Sequence, residues 1–140
     1  MAQIDTALGG QIAEKLFMGD QKVTSGCGGD LQGATGIAYA AVRNYGMFGD
    51  TAGFLSADPN STSEEYNAAV DLEVKRILEE SKERVTKLIQ SKEKELRDLS
   101  KNLYWFDYLD AEEMEQILKG KKLKKEKVRE WEGPKYLIGF

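Results

Sequence analysis

The sequence contains no histidine, one cysteine and two prolines among its 140 residues. Without histidine, the chain by itself cannot form a Ser-His-Asp triad, a Cys-His pair or a His-Glu-x-x-His zinc helix. With Cys27 as the only cysteine, an internal disulfide and a zinc site built from cysteines are excluded as well. These absences remove most hydrolase chemistries from what the 140 residues can do unaided.

Long hydrophobic runs are also absent, and none approaches the roughly 18 residues that a membrane-spanning helix needs. The first residues show no basic region followed by an apolar block, so the sequence predicts a soluble chain without a signal peptide. The scarcity of proline, a charged fraction of 31% and an apolar fraction of 41% favour a single all-α domain.

Hydrophobic periodicity predicts two helices in the first third of the chain. Apolar residues recur every four positions from Ile4, which predicts a helix that ends before Gly19. Gly9-Gly10 in its middle costs roughly 1 kcal/mol per glycine relative to alanine, and so predicts a close backbone contact or a break. A second helix, with a stripe of small residues, is predicted from near Asp30 to a stop at Gly46.

The stretch from Ser61 to Lys119 contains neither glycine nor proline, which is typical of long helices. Its apolar stripe fails at Lys92. We therefore expect one long helix to about Gln90 and another helix from about Ser91.

Local motifs predict how these helices begin and end. Ser61 or Thr62 fits a capping box in front of the long helix. The aromatic residues 104–108 end the next helix and predict burial in a core or an interface. Asp110 is the predicted N-cap of a short last helix that Gly120 stops.

Positive charge concentrates between Lys119 and Arg129, although the whole chain carries a net charge of −4. The composition predicts a flexible basic tail, residues 121–140, after a helical domain of residues 1–120. A solvated tail is the plainer interpretation of these charges. Contact with an anionic lipid or a nucleic acid is the weaker alternative, and nucleic acid is not among the partners that we expect.

A glycine-rich loop, Thr24 to Gly29, leads into the second predicted helix and places the carboxylate of Asp30 in its first turn. A carboxylate there serves either as a favourable charge at the helix N-terminus or as a metal ligand. The lysine of a P-loop does not follow the last glycine, so nucleotide binding is not predicted. Cys27 lies beside the helix N-terminus, which would lower its pKa, but no base is present to pair with the thiol.

An ordered set of short motifs runs along the chain: Ile4-Asp5, Gly9-Gly10, Ala13-Glu14, Leu16, Gly19, Thr24-Ser25-Gly26, Asp30-Leu31, Ala34-Thr35, Tyr45-Gly46-Met47, Glu73-Val74, Leu109-Asp110-Ala111 with Glu113, and Gly120-Lys121-Lys122-Leu123. This set resembles the C-terminal peptidase domain of FtsH-type ATP-dependent zinc metalloproteases, and most closely their mitochondrial i-AAA branch. The resemblance implies an all-α, bundle-like peptidase subdomain with one long helix followed by two shorter helices.

In that family, zinc is held by two histidines of an upstream His-Glu-x-x-His helix and by an aspartate at the position of Asp30. The resemblance therefore implies that Asp30 is a zinc ligand and that no catalytic residue lies within this chain. Glu14 matches a family glutamate near the metal, with a helix-surface charge as the equal alternative. We expect a C-terminal fragment that cannot hydrolyse peptide bonds by itself, zinc and the ATP-binding AAA+ module belonging to the parent protein.

The resemblance also implies a parent that forms a hexamer, is anchored in the mitochondrial inner membrane facing the intermembrane space, and degrades membrane and misfolded proteins. A bacterial or plastid membrane is the alternative location. A non-catalytic oligomerisation or interaction module from an inactive homologue is the second functional hypothesis. If the upstream metal-binding helix normally covers Leu8, Ala34 and Ala38, a chain without that helix should expose an apolar patch there and self-associate.

Overall fold

The computed structural model describes residues 1–20, 24–46 and 63–130, and all regular secondary structure within these ranges is helical. The α-helices in chain order are α1 Ala2–Met18, α2 Gly28–Arg43, α3 Glu64–Ser91, α4 Glu93–Phe106 and α5 Ala111–Leu118, and a short 3₁₀ helix, Ser25–Cys27, directly precedes α2. The predicted all-α class, with a long helix followed by two shorter ones, is confirmed. The chain divides into two compact units, Met1–Leu88 and Ile89–Phe140. The sequence-based domain boundary after residue 120 stays a prediction.

Two of the predicted helix ends are confirmed closely. Helix α1 ends at Met18, and Gly19 follows in the left-handed region with φ of +85°, where glycine is favoured. Helix α3 ends at Ser91, and Lys92 with φ of −116° separates it from α4. The loss of the apolar stripe at Lys92 therefore marks a real interruption.

Helix α2 differs at both ends from its prediction. It begins at Gly28, before Asp30, because the 3₁₀ turn continues directly into the α-helix. It ends at Arg43, before Gly46, and the N–H of Asn44 makes the last helical hydrogen bond, to the carbonyl of Ala40 at 2.9 Å. Gly46, with φ of +55°, comes only after the turn that follows the helix.

Side-chain caps begin two of the helices. Ser61 and Thr62 lie outside the described residues, but the hydroxyl of Ser63 accepts a hydrogen bond from the N–H of Tyr66 at 3.2 Å, in the first turn of α3. Before α5, Asp110 Oδ1 accepts from the N–H of Glu113 at 2.8 Å, and the Glu113 carboxylate accepts from the N–H of Asp110 at 3.0 Å. This reciprocal pair confirms the predicted cap as a capping box.

In the first unit, α1 packs against α2, and α3 is joined to each of them by side-chain hydrogen bonds. The carboxylate of Asp5 on α1 accepts hydrogen bonds from Ser81 and Arg84 on α3. Tyr39 on α2 donates its hydroxyl to Asp71 on α3 at 2.7 Å. Aliphatic side chains form the core between these helices: Ile4, Leu8, Ile12, Ala34, Ala38, Ala41, Val42, Val70, Val74, Ile77 and Val85.

The predicted apolar patch at Leu8, Ala34 and Ala38 is wrong. Ala34 and Ala38 are fully buried and Leu8 is 4% exposed, because they belong to the core of the first unit. The large apolar side chains that α1, α2 and the turn after α2 do expose are Leu16, Met18, Leu31, Ile37 and Tyr45.

In the second unit, α4 packs against α5, and residues 121–130 fold back along α4. The N–H of Val128 donates to the carbonyl of Trp105 at 2.8 Å. Predicted burial of the aromatic cluster holds for Phe106, which is 8% exposed, but not for Tyr108, which is 70% exposed. Among the helices that the structure describes, none has the length and apolar character that crossing a membrane requires.

Candidate metal centre

Asp30 lies in the first turn of α2, as the sequence predicts. Its carboxylate is placed where the unpaired N–H groups and the dipole of the helix favour negative charge. The residue is exposed, and within the described ranges no hydrogen bond or ion pair holds its carboxylate. No described side chain therefore competes with a cation for these two oxygens.

Helix α1 passes beside this carboxylate at Gly10. A Cβ atom added to Gly10 would lie 4.0 Å from Asp30 Oδ2 and 3.9 Å from Cys27 Sγ, which are ordinary contact distances. Helix α1 is continuous here, and a Cβ on Gly9 would meet no described atom within 4 Å. The predicted break is therefore wrong, and among the described residues no tight backbone contact is present at Gly9-Gly10 either. What Gly10 does is keep the α1 surface next to Asp30 free of a side chain.

Glu14, one turn further along α1, binds the segment that leads to Asp30. Its carboxylate accepts the backbone N–H of Thr24 at 2.9 Å and the Thr24 hydroxyl at 3.1 Å. These hydrogen bonds hold the pKa of Glu14 below its usual range, and the bond from the backbone N–H of Thr24 has the largest effect. A charged Glu14 thus ties the start of the 3₁₀ turn to α1.

Thr24 is the residue of this site that sequence reasoning missed. A threonine directly before a helical turn suggests a cap, but its hydroxyl donates to a carboxylate ten positions earlier. Because residues 21–23 between the two partners carry no pattern that brings them together, the sequence offers no signal for this contact.

Cys27 is buried between these carboxylates. Loss of solvation raises the pKa of its thiol first, and the negative charge of Glu14, a hydrogen bond to it and the charge of Asp30 raise it further. The sequence-based expectation of a lowered pKa is wrong, because burial and two nearby carboxylates raise the pKa of this thiol. Cys27 is therefore a protonated core thiol at neutral pH.

A complete metal centre is not formed by the part of the chain that the structure describes, where no three His, Cys, Asp or Glu side chains are grouped to hold an ion. A catalytic zinc takes three protein ligands and one open position. Asp30 fits the role of one of these ligands, by its exposure and its free oxygens. Since the chain has no histidine, any imidazole ligands would have to come from outside these residues.

Comparison with known proteins identifies the family of this chain. The family model of peptidase family M41 matches residues 1–117. The yeast (Saccharomyces cerevisiae) mitochondrial inner membrane i-AAA protease supercomplex subunit YME1 is 44% identical over 125 residues, which cover 89% of this chain and 17% of that protein.

Animal and bacterial relatives match a similar share of the chain. The human ATP-dependent zinc metalloprotease YME1L1 is 33% identical over 123 residues, covering 88% of this chain and 16% of that protein. The ATP-dependent zinc metalloprotease FtsH of Veillonella parvula is 35% identical over 132 residues, covering 85% of this chain and 20% of that protein. The chain thus spans less than a quarter of the length of these relatives, and it belongs to peptidase family M41.

Proposed function

We propose that this chain is the C-terminal part of the proteolytic domain of an ATP-dependent zinc metalloprotease of the i-AAA type, and that Asp30 supplies its third zinc ligand. The single observation that supports the ligand role is the exposed Asp30 carboxylate, which has no protein partner among the described residues. Membership of family M41 and the zinc metalloprotease activity for which the YME1L1 and FtsH relatives are named support the protease role.

In this proposal, the residues of this chain would bind the metal and orient its ligand. Asp30 would bind the metal through carboxylate oxygens that α2 presents at its N-terminus. Glu14 would position Asp30 indirectly. The hydrogen bonds that Glu14 accepts from Thr24 hold the start of the 3₁₀ turn that precedes α2. When bound, zinc supplies an acidified water and a polarised carbonyl for peptide hydrolysis. The remaining ligands and the general base would come from residues outside this chain, which has no histidine.

The setting of the parent protein is part of the same proposal. By analogy with the relative named as a mitochondrial inner membrane i-AAA protease supercomplex subunit, the parent would be a homo-oligomer, a hexamer, at that membrane. Its AAA+ module would bind ATP, and its substrates would be membrane and misfolded proteins. Residues 1–120 would form the peptidase part, followed by the basic tail of residues 121–140.

The test is an Asp30→Asn substitution in the full-length protein that contains this chain. We expect zinc content, measured by elemental analysis, and ATP-dependent hydrolysis of an unfolded protein to fall together by at least about 10-fold, since loss of a ligand weakens metal binding at least as much as loss of an outer-shell partner does. Asp20→Asn, at an exposed aspartate beyond the end of α1, is the matched control and should leave both unchanged.

Two results with the full-length protein, and one with the isolated chain, would contradict the proposal. Full zinc content in Asp30→Asn would show that Asp30 is not a ligand. A full-length protein with Asp30 intact that oligomerises, but neither binds zinc nor cleaves protein, would be a non-catalytic interaction module. The isolated 140-residue chain is expected to show no peptidase activity, and zinc-dependent proteolysis by it would contradict the assignment of the other ligands.

A further inference from the structure

The second unit contains a cleft that the protease function does not use. It has a volume of about 350 Å³ and lies between α4, α5 and residues 120–127. Four lysines line it: Lys101, Lys121, Lys122 and Lys127. Among the residues around the cleft, Asp98 is the single carboxylate.

None of these four ammonium groups has an ion-pair partner within residues 63–130 or the other described ranges. Other lysines of the same unit do have partners: Lys125 pairs with Glu113 at 2.8 Å, and Lys92 pairs with Glu95 at 3.5 Å. The cleft therefore holds four positive charges, none of them in an ion pair with a described residue, against one carboxylate. Like charges held together in a recess repel one another and attract anions.

Trp105 holds two of these lysines in place. The Nζ atom of Lys127 lies 3.6 Å and that of Lys101 lies 4.7 Å from the centroid of the indole ring. The indole Nε1–H of Trp105 is buried and has no acceptor among the described residues. A buried donor without an acceptor costs free energy, and an anion oxygen in the cleft would satisfy it.

The basic surface continues beyond the cleft. Lys121 and Lys122 also line a neighbouring open depression with Gln116 and Lys124. Both recesses lie in the second unit and share these two lysines. A ligand with more than one negative group could contact both.

We propose that this cleft binds phosphoryl groups, either of an anionic lipid headgroup or of a small soluble phosphate. Lysine ammonium groups act as point charges for phosphate oxygens, and an N–H donor adds a directed contact. The volume is at the lower end of the range for ligand pockets, which suits one or two phosphoryl groups. This inference does not depend on the zinc site, since every residue that carries it lies in the second unit.

Titration of the 140-residue chain with pyrophosphate, followed by calorimetry and by fluorescence, tests the proposal. In a Trp131→Phe background Trp105 is the only tryptophan, so its emission should change when bound phosphate draws Lys127 away from the ring. The double substitution Lys121→Gln/Lys122→Gln should weaken binding about 25-fold, at about fivefold per lysine. The matched control Lys75→Gln/Lys82→Gln, on α3, removes the same charge and should bind as the unaltered chain does.

Vesicles separate the two sources of phosphate. Binding to phosphatidylcholine vesicles that contain phosphatidic acid, lost in Lys121→Gln/Lys122→Gln, assigns the site to a lipid headgroup; binding of pyrophosphate alone assigns it to a soluble phosphate. Absence of binding to both probes would overturn the proposal. An equal loss in both double variants would also overturn it, because the effect would then come from net charge and not from the cleft.

Discussion

Aliphatic side chains form the core of the first unit, Met1–Leu88, whereas the described part of the second unit, Ile89–Phe140, buries only Phe106 and Ile117 among its apolar residues. Around α4 and α5, cations cover the aromatic rings instead: Lys125 lies 5.0 Å from the centroid of Phe106, and Arg129 lies 5.1 Å from that of Tyr104. Aliphatic burial stabilises by ~25 cal/mol per Å² of apolar surface removed from water. Exposed cation–π contacts contribute about 0.5–1 kcal/mol each, which is less than the full burial of one large aliphatic side chain contributes.

The difference indicates which unit sets the stability of the chain. The first unit combines its core with a partly buried hydrogen-bond network that joins α1 to α3, while the second depends on helix caps and surface pairs. We therefore expect the first unit to open less often than the second in native-state hydrogen exchange.

The largest expected effect comes from removing an aliphatic side chain from the first core. Ile77 is fully buried, so Ile77→Ala should lower the free energy of unfolding of the first unit by about 3 kcal/mol, through lost burial and a cavity. Hydrogen exchange of α1 and α2 amides measures the loss. Leu72→Ala on the same helix, at a side chain 65% exposed, should change little. Equal acceleration in α5 would show that the two units unfold together.

The next effect concerns the link between α1 and α3. Asp5→Ala should cost about 2 kcal/mol in the free energy of unfolding, because the fully buried hydroxyl of Ser81 loses its acceptor and Arg84 its ion pair. Thermal unfolding at neutral pH, compared with that of the exposed-site control Thr6→Ala, measures the difference. An Asp5→Ala variant as stable as the control would show that this hydrogen-bond network does not stabilise the first unit.

The same carboxylate gives a pH dependence. The hydrogen bond from Arg84 lowers the pKa of Asp5, and burial opposes that shift without cancelling it. A lowered pKa in the folded state means that the contribution is complete above the unfolded-state value of about 4 and is lost as the pH falls through the folded-state pKa. The stability difference between the unaltered chain and Asp5→Ala should therefore shrink as the pH falls below about 4. A difference that stays constant down to pH ~2 would contradict this assignment.

The smallest expected effect tests the second unit. Asp110→Ala removes the capping box of α5 and should destabilise that helix by about 1 kcal/mol, seen as faster exchange of its amides. Glu115→Ala, an exposed substitution on the same helix, is the control. Because the second unit has a smaller described core, exchange in α4 should accelerate too. Unchanged exchange in α4 would mean that α5 opens alone.

Much of the helical pattern could be predicted from local signals. The end of α1 before Gly19, the interruption near Lys92 and the Asp110 cap each depend on a few neighbouring residues, and each is confirmed. The place of Asp30 in the first turn of α2 is also confirmed, although its role as a ligand stays a prediction. These features follow from backbone propensity and caps, which act over one turn of helix.

The properties that failed to follow from the sequence depend on distant residues. The raised pKa of Cys27 comes from burial and from the charge and hydrogen bond of Glu14, a residue of α1 that is 13 positions earlier in the chain. The burial of Ala34 and Ala38 comes from packing in the first unit. Residues 121–130, whose composition predicts a flexible tail, contact α4 through Val128 and Trp105.

By itself, the sequence determined the class of fold, the ends of α1 and α3 and the cap of α5, because these are properties of composition and of neighbouring residues. Only the tertiary structure decided that Gly10 and Asp30 lie side by side, that Glu14 binds Thr24, and that four lysines share one cleft. Such contacts join residues far apart in the chain, and their energies depend on burial and distance, which no local pattern encodes.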